Sequence, residues 1–358
     1  MALVFKKAHR KAAPLLISLS GVSGSGKTYS ALLLAAGLAG PAGRVGFIDT
    51  ENNRGTMYAD SPGIVKALPD GYDIVQLEPP FTPARYIEAI SAAEKTGINV
   101  LCIDSTSHEW EGTGGCVEIA ENNKLRGMPN WSKAKMEHKK FLNHCLSSPM
   151  HIIFCLRARE KVKIVEVNGK TEVVPIGITA ICEKGFVFEQ VLSLMLDETT
   201  HFAKPVKVPE PLAPLFPQSH LITKQDGERI RQWNDTGSSA DPNEQLKKRA
   251  RAAADEGTTA YAEFFKGLAA AQKKFLADSI HDELKKIAAT SDEEREAREA
   301  AEQREQQEFN QSGEPPLKEY PSIDKAPDPF EFDPDYRIKI GGVLMRPNDE
   351  KTAWVAAA

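Results

Sequence analysis

Apolar residues recur along this chain in two rhythms. Continuous apolar runs of strand length appear at LLISLS (15–20), RVGFIDTE (44–51), NVLCIDS (99–105) and HIIFCLRA (151–158). Between them lie stretches with helical spacing, YSALLLAAGLAG, ARYIEAISAAEKTG (84–97) and NWSKAKMEHKKFLNHCLSS. Strands that are apolar on both faces and alternate with helices predict a doubly wound, mostly parallel sheet, an α/β fold. Gly97 suits a helix C-cap. After 158 the period becomes two. KVKIVEVNGKTEVVPIG sets Asn168-Gly169 between β-branched runs, the signature of a hairpin with a two-residue turn. FVFEQVLSLMLDE (186–198) predicts one further strand.

Near residue 235 the pattern changes again. Residues 1–235 read as the α/β core, and TGSSADPNEQ, within 236–245, reads as a linker. Residues 246–310 are rich in Ala, Glu, Lys and Arg and predict helices. FFKGLAAAQKKFLADSIHDELKKIAA carries an apolar stripe, whereas SDEEREAREAAEQREQQ has almost none and reads as a solvated helix or a disordered charged segment. Residues 311–358 form an acidic, proline-rich tail that reads as extended or disordered, with room for a small hairpin at Gly341-Gly342. There is no internal repeat at solenoid spacing.

Composition narrows the class. The 358 residues are 41% hydrophobic and 27% charged, with a net charge of −5. That excludes a globally basic nucleic-acid binder but not a local basic groove. No apolar run approaches membrane-spanning length. The opening MALVFKKAHRKAAPLLISLSG reads as the first core strand rather than a secretion signal. The five cysteines (102, 116, 145, 155 and 182) are odd in number and contain no CxxC pair, which fits reduced thiols in a cytosolic protein.

The chemistry concentrates in one loop. Gly21-Val22-Ser23-Gly24-Ser25-Gly26-Lys27-Thr28 fits GxxxxGK[ST] in full, after a strand and before a helix. Glycines let the backbone wrap phosphates, and loop amides and the helix N-terminus face the negative charge. In this pattern Lys27 reaches the β- and γ-phosphates of ATP, and the Thr28 hydroxyl ligates Mg²⁺. Asp104 ends the run NVLCIDS, where a carboxylate would help hold that Mg²⁺. Glu51 ends FIDTE, where it would activate water or serve as a capping acid. Arg157 and Arg159 follow HIIFC. They would sense the γ-phosphate, or form an ordinary basic pair. His108 lacks partner spacing for a metal.

The order of phosphate loop, FIDTE, LCIDS and then an apolar strand with a polar end resembles the RecA-type recombinase core. IDSTSHEWEGTGGCVEI with NWSKAKMEHKKFLNHCLSSPMHIIFCLRAREK resembles phage-encoded AAA or RecA-like ATPases, some grouped with Sak-type single-strand annealing proteins. The likeness covers about residues 12–215. It implies a RecA-like P-loop ATPase core with a β-hairpin insertion, a helical C-terminal region and an extended acidic tail. It implies Glu51 as catalytic base, and Lys204 and Lys207 as lysines that reach a neighbouring subunit's γ-phosphate. Two departures stand out. Arg157 and Arg159 replace the amide sensor, and the VNGK hairpin replaces a glycine-rich DNA loop.

The resemblance implies ATP hydrolysis with Mg²⁺ in recombination, annealing or replication in a bacterial host cytoplasm. It implies ssDNA as partner, a homo-oligomer as ring or filament, a single-strand binding protein or exonuclease as further partner, and no membrane. Basic residues cluster at Lys124, Arg126, Lys133, Lys135, Lys139 and Lys140, and at Arg157, Arg159, Lys161, Lys163 and Lys170. Trp110, Trp131 and Phe186 offer stacking surfaces for bases. The competing reading is a helicase loader or other remodelling ATPase that acts on proteins without touching DNA. A small-molecule kinase ranks third, since the hairpin makes a poor lid.

Overall fold

The computed structural model describes residues 12–125, 127–167, 170–237 and 242–312, together with short strands at 319–320, 338–340, 343–347 and 354–356. The chain divides into two units, residues 1–123 with 129–293, and residues 124–128 with 294–358.

In the first unit the elements run β1 (Leu16–Gly21), α1 (Lys27–Ala39), β2 (Val45–Asp49), α2 (Pro62–Ala67), β3 (Asp73–Gln76), α3 (Pro83–Lys95) and β4 (Val100–Asp104). Then come α4 (Ser107–Glu111), α5 (Cys116–Asn122), α6 (Trp131–Ser147), β5 (His151–Val167), β6 (Lys170–Ala180), β7 (Leu192–Leu196) and β8 (Ala203–Lys207). Helices α7 (Lys224–Asp235), α8 (Pro242–Asp255), α9 (Thr258–Gly267), α10 (Ala270–Ser279) and α11 (His281–Ser312) follow.

The sheet order is β3-β2-β4-β5-β1-β7-β8. All pairings from β3 to β7 are parallel, and β8 joins antiparallel at the edge. The continuous apolar runs are explained by burial on both faces. Ile17, Leu19, Phe47, Cys102 and Ile153 point to one core, and Leu16, Ile48, Leu101, Ile103, Ile152 and Phe154 to the other. Successive strand residues face opposite ways, so a strand between two helical layers must be apolar throughout. Each fully buried Leu, Ile or Phe contributes about 1.5–3 kcal/mol.

Helices α1 and α7 cover the first face. They cross where two glycines meet. A Cβ on Gly37 would run into the carbonyl oxygen of Lys224, and one on Gly227 into that of Leu34. Helices α3 and α6 cover the second face, through Tyr86, Ile90 and Phe141. Helices α8 to α11 share a separate small core of Leu246, Ala250, Ala254, Tyr261, Leu276, Leu284 and Ala288. An ion pair of 3.3 Å between Arg249 and Glu94 ties α8 to α3.

The strand expected over 186–198 is shorter. Residues Phe186–Glu189 form a 3₁₀ turn, closed by the Phe188 amide donating to Gly185, and only Leu192–Leu196 pairs with β1. The turn drives Phe186 inward, with its ring 5.0 Å from that of Phe154. Phe186 is 1% exposed, so it offers no surface to a base.

The hairpin pairs β5 with β6 antiparallel, with Val167 opposite Lys170. Its Asn168-Gly169 turn lies outside the described residues. In the second unit, β10 (Ile338–Ile340) pairs antiparallel with β11 (Val343–Pro347), which pairs with β12 (Trp354–Ala356). Strand β9 (Glu319–Tyr320) joins β10 in parallel. Gly341 and Gly342 lie outside the described residues.

Candidate functional site

The parallel strands end on one side of the sheet, the edge where α/β proteins bind ligands. Strand β1 runs out at Gly21 and α1 starts at Lys27, with the phosphate loop between them. Gly24 (φ 87°) and Gly26 (φ 86°) hold left-handed conformations that side chains resist. The Lys27 ammonium donates to the carbonyls of Gly21 at 3.0 Å and Val22 at 2.8 Å. Ser25 Oγ is buried with no hydrogen-bond partner among the described residues.

Strand β4 brings Asp104 beside this loop. Thr28 Oγ1 donates to Asp104 Oδ2 at 2.5 Å, across 76 positions of sequence. Burial pushes the Asp104 carboxyl up to about 6, with Glu51 adding to the rise and Thr28 and Lys27 opposing it. Strand β2 lies next to β4 and supplies the following acid. Asp49 turns the chain after β2 by accepting from the amides of Glu51 at 2.7 Å and Gly55 at 2.8 Å.

Glu51 is held from two sides. Its Oε1 accepts from Arg157 Nε at 2.6 Å, and its Oε2 from Arg54 at 2.9 Å. Burial alone would raise its carboxyl, but the bond and charge of Arg157, with Arg54, hold it below the usual range. Arg157 sits at the point of β5 that pairs with Gly21, which sets it opposite the start of the loop.

A cavity of about 690 Å³ joins these groups. It is lined by Ser23, Gly24, Gly26, Lys27 and Thr28, by Glu51, Arg54, Met57 and Tyr58, and by Asp104 and Arg157. The structure thus gathers the phosphate loop, both acids and the first arginine. Gly21 shapes the loop from below, since a Cβ there would strike Ser25 Oγ.

Other expected residues lie elsewhere. Arg159 leaves the cavity and pairs with Glu111 at 2.8 Å. Lys204 and Lys207, on edge strand β8, do not line it. Lys204 pairs with Asp197 at 3.0 Å, and Lys207 donates to the Phe188 carbonyl at 2.6 Å. Trp110 and Trp131 stack on one another with centroids 5.9 Å apart. Of the first basic cluster, Lys133 donates to Asn123 and Lys140 pairs with Glu137, while Arg126 lies outside the described residues.

Sequence reading missed Arg54 and Thr50, and weighed His108 only as a metal ligand. Arg54 is a plain loop arginine until the turn set by Asp49 folds it back onto Glu51. Thr50 accepts from the Ser105 amide at 2.7 Å and meets His108 Nδ1 at 2.7 Å, which links β2 to α4. His108 stacks on Phe81, and burial followed by Arg157 lowers its pKa. The only earlier signal was position: Thr50 lies between Asp49 and Glu51, and His108 four residues after Asp104.

Residues 13–180 match a family model described as an AAA domain, and over that stretch the chain is similar to AAA-type P-loop ATPase domains. The matched stretch runs from β1 into β6 and contains Lys27, Thr28, Glu51, Asp104 and Arg157. No curated protein matches the chain. Among solved structures, a KaiC-like protein from the hyperthermophilic archaeon Pyrococcus horikoshii is 15% identical, over 56% of this chain and 88% of its own, with a TM-score of 0.32. No helix among the described residues is long and apolar enough to cross a membrane.

Proposed function

We propose that this chain is a Mg²⁺-dependent ATPase of the phage-encoded, RecA-like class, acting on single-stranded DNA as a homo-oligomer in recombination, annealing or replication. The 2.5 Å bond from Thr28 to Asp104 carries the nucleotide part of this reading. A hydroxyl and a buried carboxylate at the mouth of a phosphate loop are hard oxygen donors, which suit Mg²⁺. Bound there, the ion would neutralise charge on the β- and γ-phosphate oxygens.

The chain's own residues do the rest. Lys27 leaves the Gly21 and Val22 carbonyls for the phosphates, and the loop amides close on them. Glu51 accepts the proton of the attacking water. It does so only after exchanging Arg157, whose guanidinium lies in the same cavity and pairs equally well with a γ-phosphate. ATP binding thereby releases the base it requires.

One observation supports the DNA part. Strand β5 passes from Arg157 in the cavity directly into the hairpin, whose sequence carries Lys161, Lys163 and Lys170. A change at the nucleotide thus has a continuous strand to travel along. Lys204 and Lys207, set on the sheet edge, would complete a neighbour's pocket in an oligomer. The deciding measurement is ATP turnover by the full chain with and without ssDNA. Stimulation by ssDNA, and its loss in Lys27→Ala, are expected. Turnover that is intact in Lys27→Ala would overturn the site. Absence of ssDNA binding at low salt with ATP and Mg²⁺ would leave the loader reading in its place.

A further inference from the structure

Away from the nucleotide cavity, three side chains of unlike chemistry meet in the interior. Glu109 comes from α4, Cys116 opens α5, and His138 lies midway along α6. They are 2%, 0% and 5% exposed. His138 Nδ1 is 3.0 Å from each Glu109 carboxylate oxygen, and Cys116 Sγ is 3.3 Å from Oε1. One ligand atom from each lies within 4.8 Å of the other two. We propose that Glu109, Cys116 and His138 bind a zinc-class divalent transition metal, which fastens α4, α5 and α6 together.

The donor set selects the ion. A sulfur, an imidazole nitrogen and a carboxylate suit zinc, whereas Mg²⁺ and Ca²⁺ prefer oxygen alone. The spacing agrees. Bonds of about 2.0–2.3 Å in a tetrahedral site place neighbouring ligand atoms roughly 3.3–3.6 Å apart. The observed 3.0 and 3.3 Å separations need to open by only a few tenths of an ångström. Three protein ligands would leave the fourth tetrahedral position to a water.

Charge and hydrogen bonding point the same way. On binding the metal Cys116 would release its thiol proton to solvent, and the resulting carboxylate, thiolate and neutral imidazole sum to −2, which a dication cancels; a neutral complex is what a buried site tolerates. The imidazole is walled by Trp110 (5.5 Å between centroids), Phe186 (5.7 Å) and Phe141 (6.1 Å). Its Nε2 has no hydrogen-bond partner among the described residues. Without a metal, Nδ1 must carry the proton that bonds Glu109, leaving Nε2 as a bare buried acceptor or an unpartnered charged donor. Metal on Nδ1 moves the proton to Nε2, where aromatic faces can receive it.

The clip would bear on the nucleotide site without belonging to it. None of its three ligands lines the cavity, yet Glu109 follows His108, which holds Thr50 beside Glu51. Full-length protein stripped with a chelator and titrated with Co²⁺ tests the assignment. A near-ultraviolet thiolate-to-cobalt charge-transfer band that saturates stoichiometrically and is displaced by Zn²⁺ is expected. Cobalt held by Thr28 and Asp104 cannot give this band, since no cysteine lines that cavity. Cys116→Ser should abolish the band, and His138→Gln should weaken metal binding by more than the about 10–100-fold that loss of an outer-shell partner costs. A folded wild-type chain with no band, or a band that survives in Cys116→Ser, would overturn the proposal. Should the variants fail to fold, the wild-type titration still decides.

Discussion

At the scale of single residues, the bond between Arg157 and Glu51 occupies the acid that the proposed mechanism uses as its base. Both oxygens of Glu51 are engaged, so the acid is ionised yet blocked. Glu51→Gln should bind ATP with near wild-type affinity while turnover falls about 10²–10⁴-fold, the usual worth of a general base. Unchanged turnover would assign the base elsewhere. Arg157 also holds the Glu51 carboxyl low, against the burial that would raise it. Arg157→Ala should therefore move the Glu51 titration upward, as read by carboxyl carbon NMR. A titration that stays put would mean that Arg54 alone sets it.

Two elements decide how the sheet is held, and each gives a test. The Leu15 amide donates to His151 Nδ1 at 3.0 Å, which pins the start of β1 to the start of β5. Burial lowers this imidazole from 6.5 to about 4, with Asp235 opposing. The folded state thus prefers the neutral ring, and below pH 6.5 the unfolded chain takes up the proton more readily. The contribution of His151 is complete above pH 6.5 and is lost as pH falls toward 4. Urea unfolding at pH 7 and pH 5 should show a smaller loss of stability for His151→Asn than for wild type. Equal losses would remove His151 from the account. The crossing of α1 and α7 is equally local. Gly227→Val forces a side chain against the Leu34 carbonyl and should cost roughly 1–3 kcal/mol or more in thermal unfolding. A wild-type melting temperature would mean that the two helices separate freely.

For the whole molecule, the net charge of −5 averages unlike parts. The segment SDEEREAREAAEQREQQ is acidic, whereas Lys161, Lys163 and Lys170 share the hairpin strands. If those strands meet DNA, affinity for ssDNA should fall steeply with salt, in proportion to the phosphates neutralised. A flat salt dependence would speak against a phosphate-tracking surface. The sequence alone determined the phosphate loop, the alternation of buried strands and helices, and the acids that end β2 and β4. These are legible because local backbone geometry and face-by-face burial write themselves into neighbouring residues. Tertiary structure alone decided which distant groups meet. Arg157 reaches Glu51 across 106 positions, and His138 reaches Glu109 across 29. It also took Phe186 out of reach of a base and buried Cys116 beside an imidazole and a carboxylate. Periodicity records that a face is buried, but not what buries it. Those partners are set by the order in which strands cross the sheet and by where each helix lands.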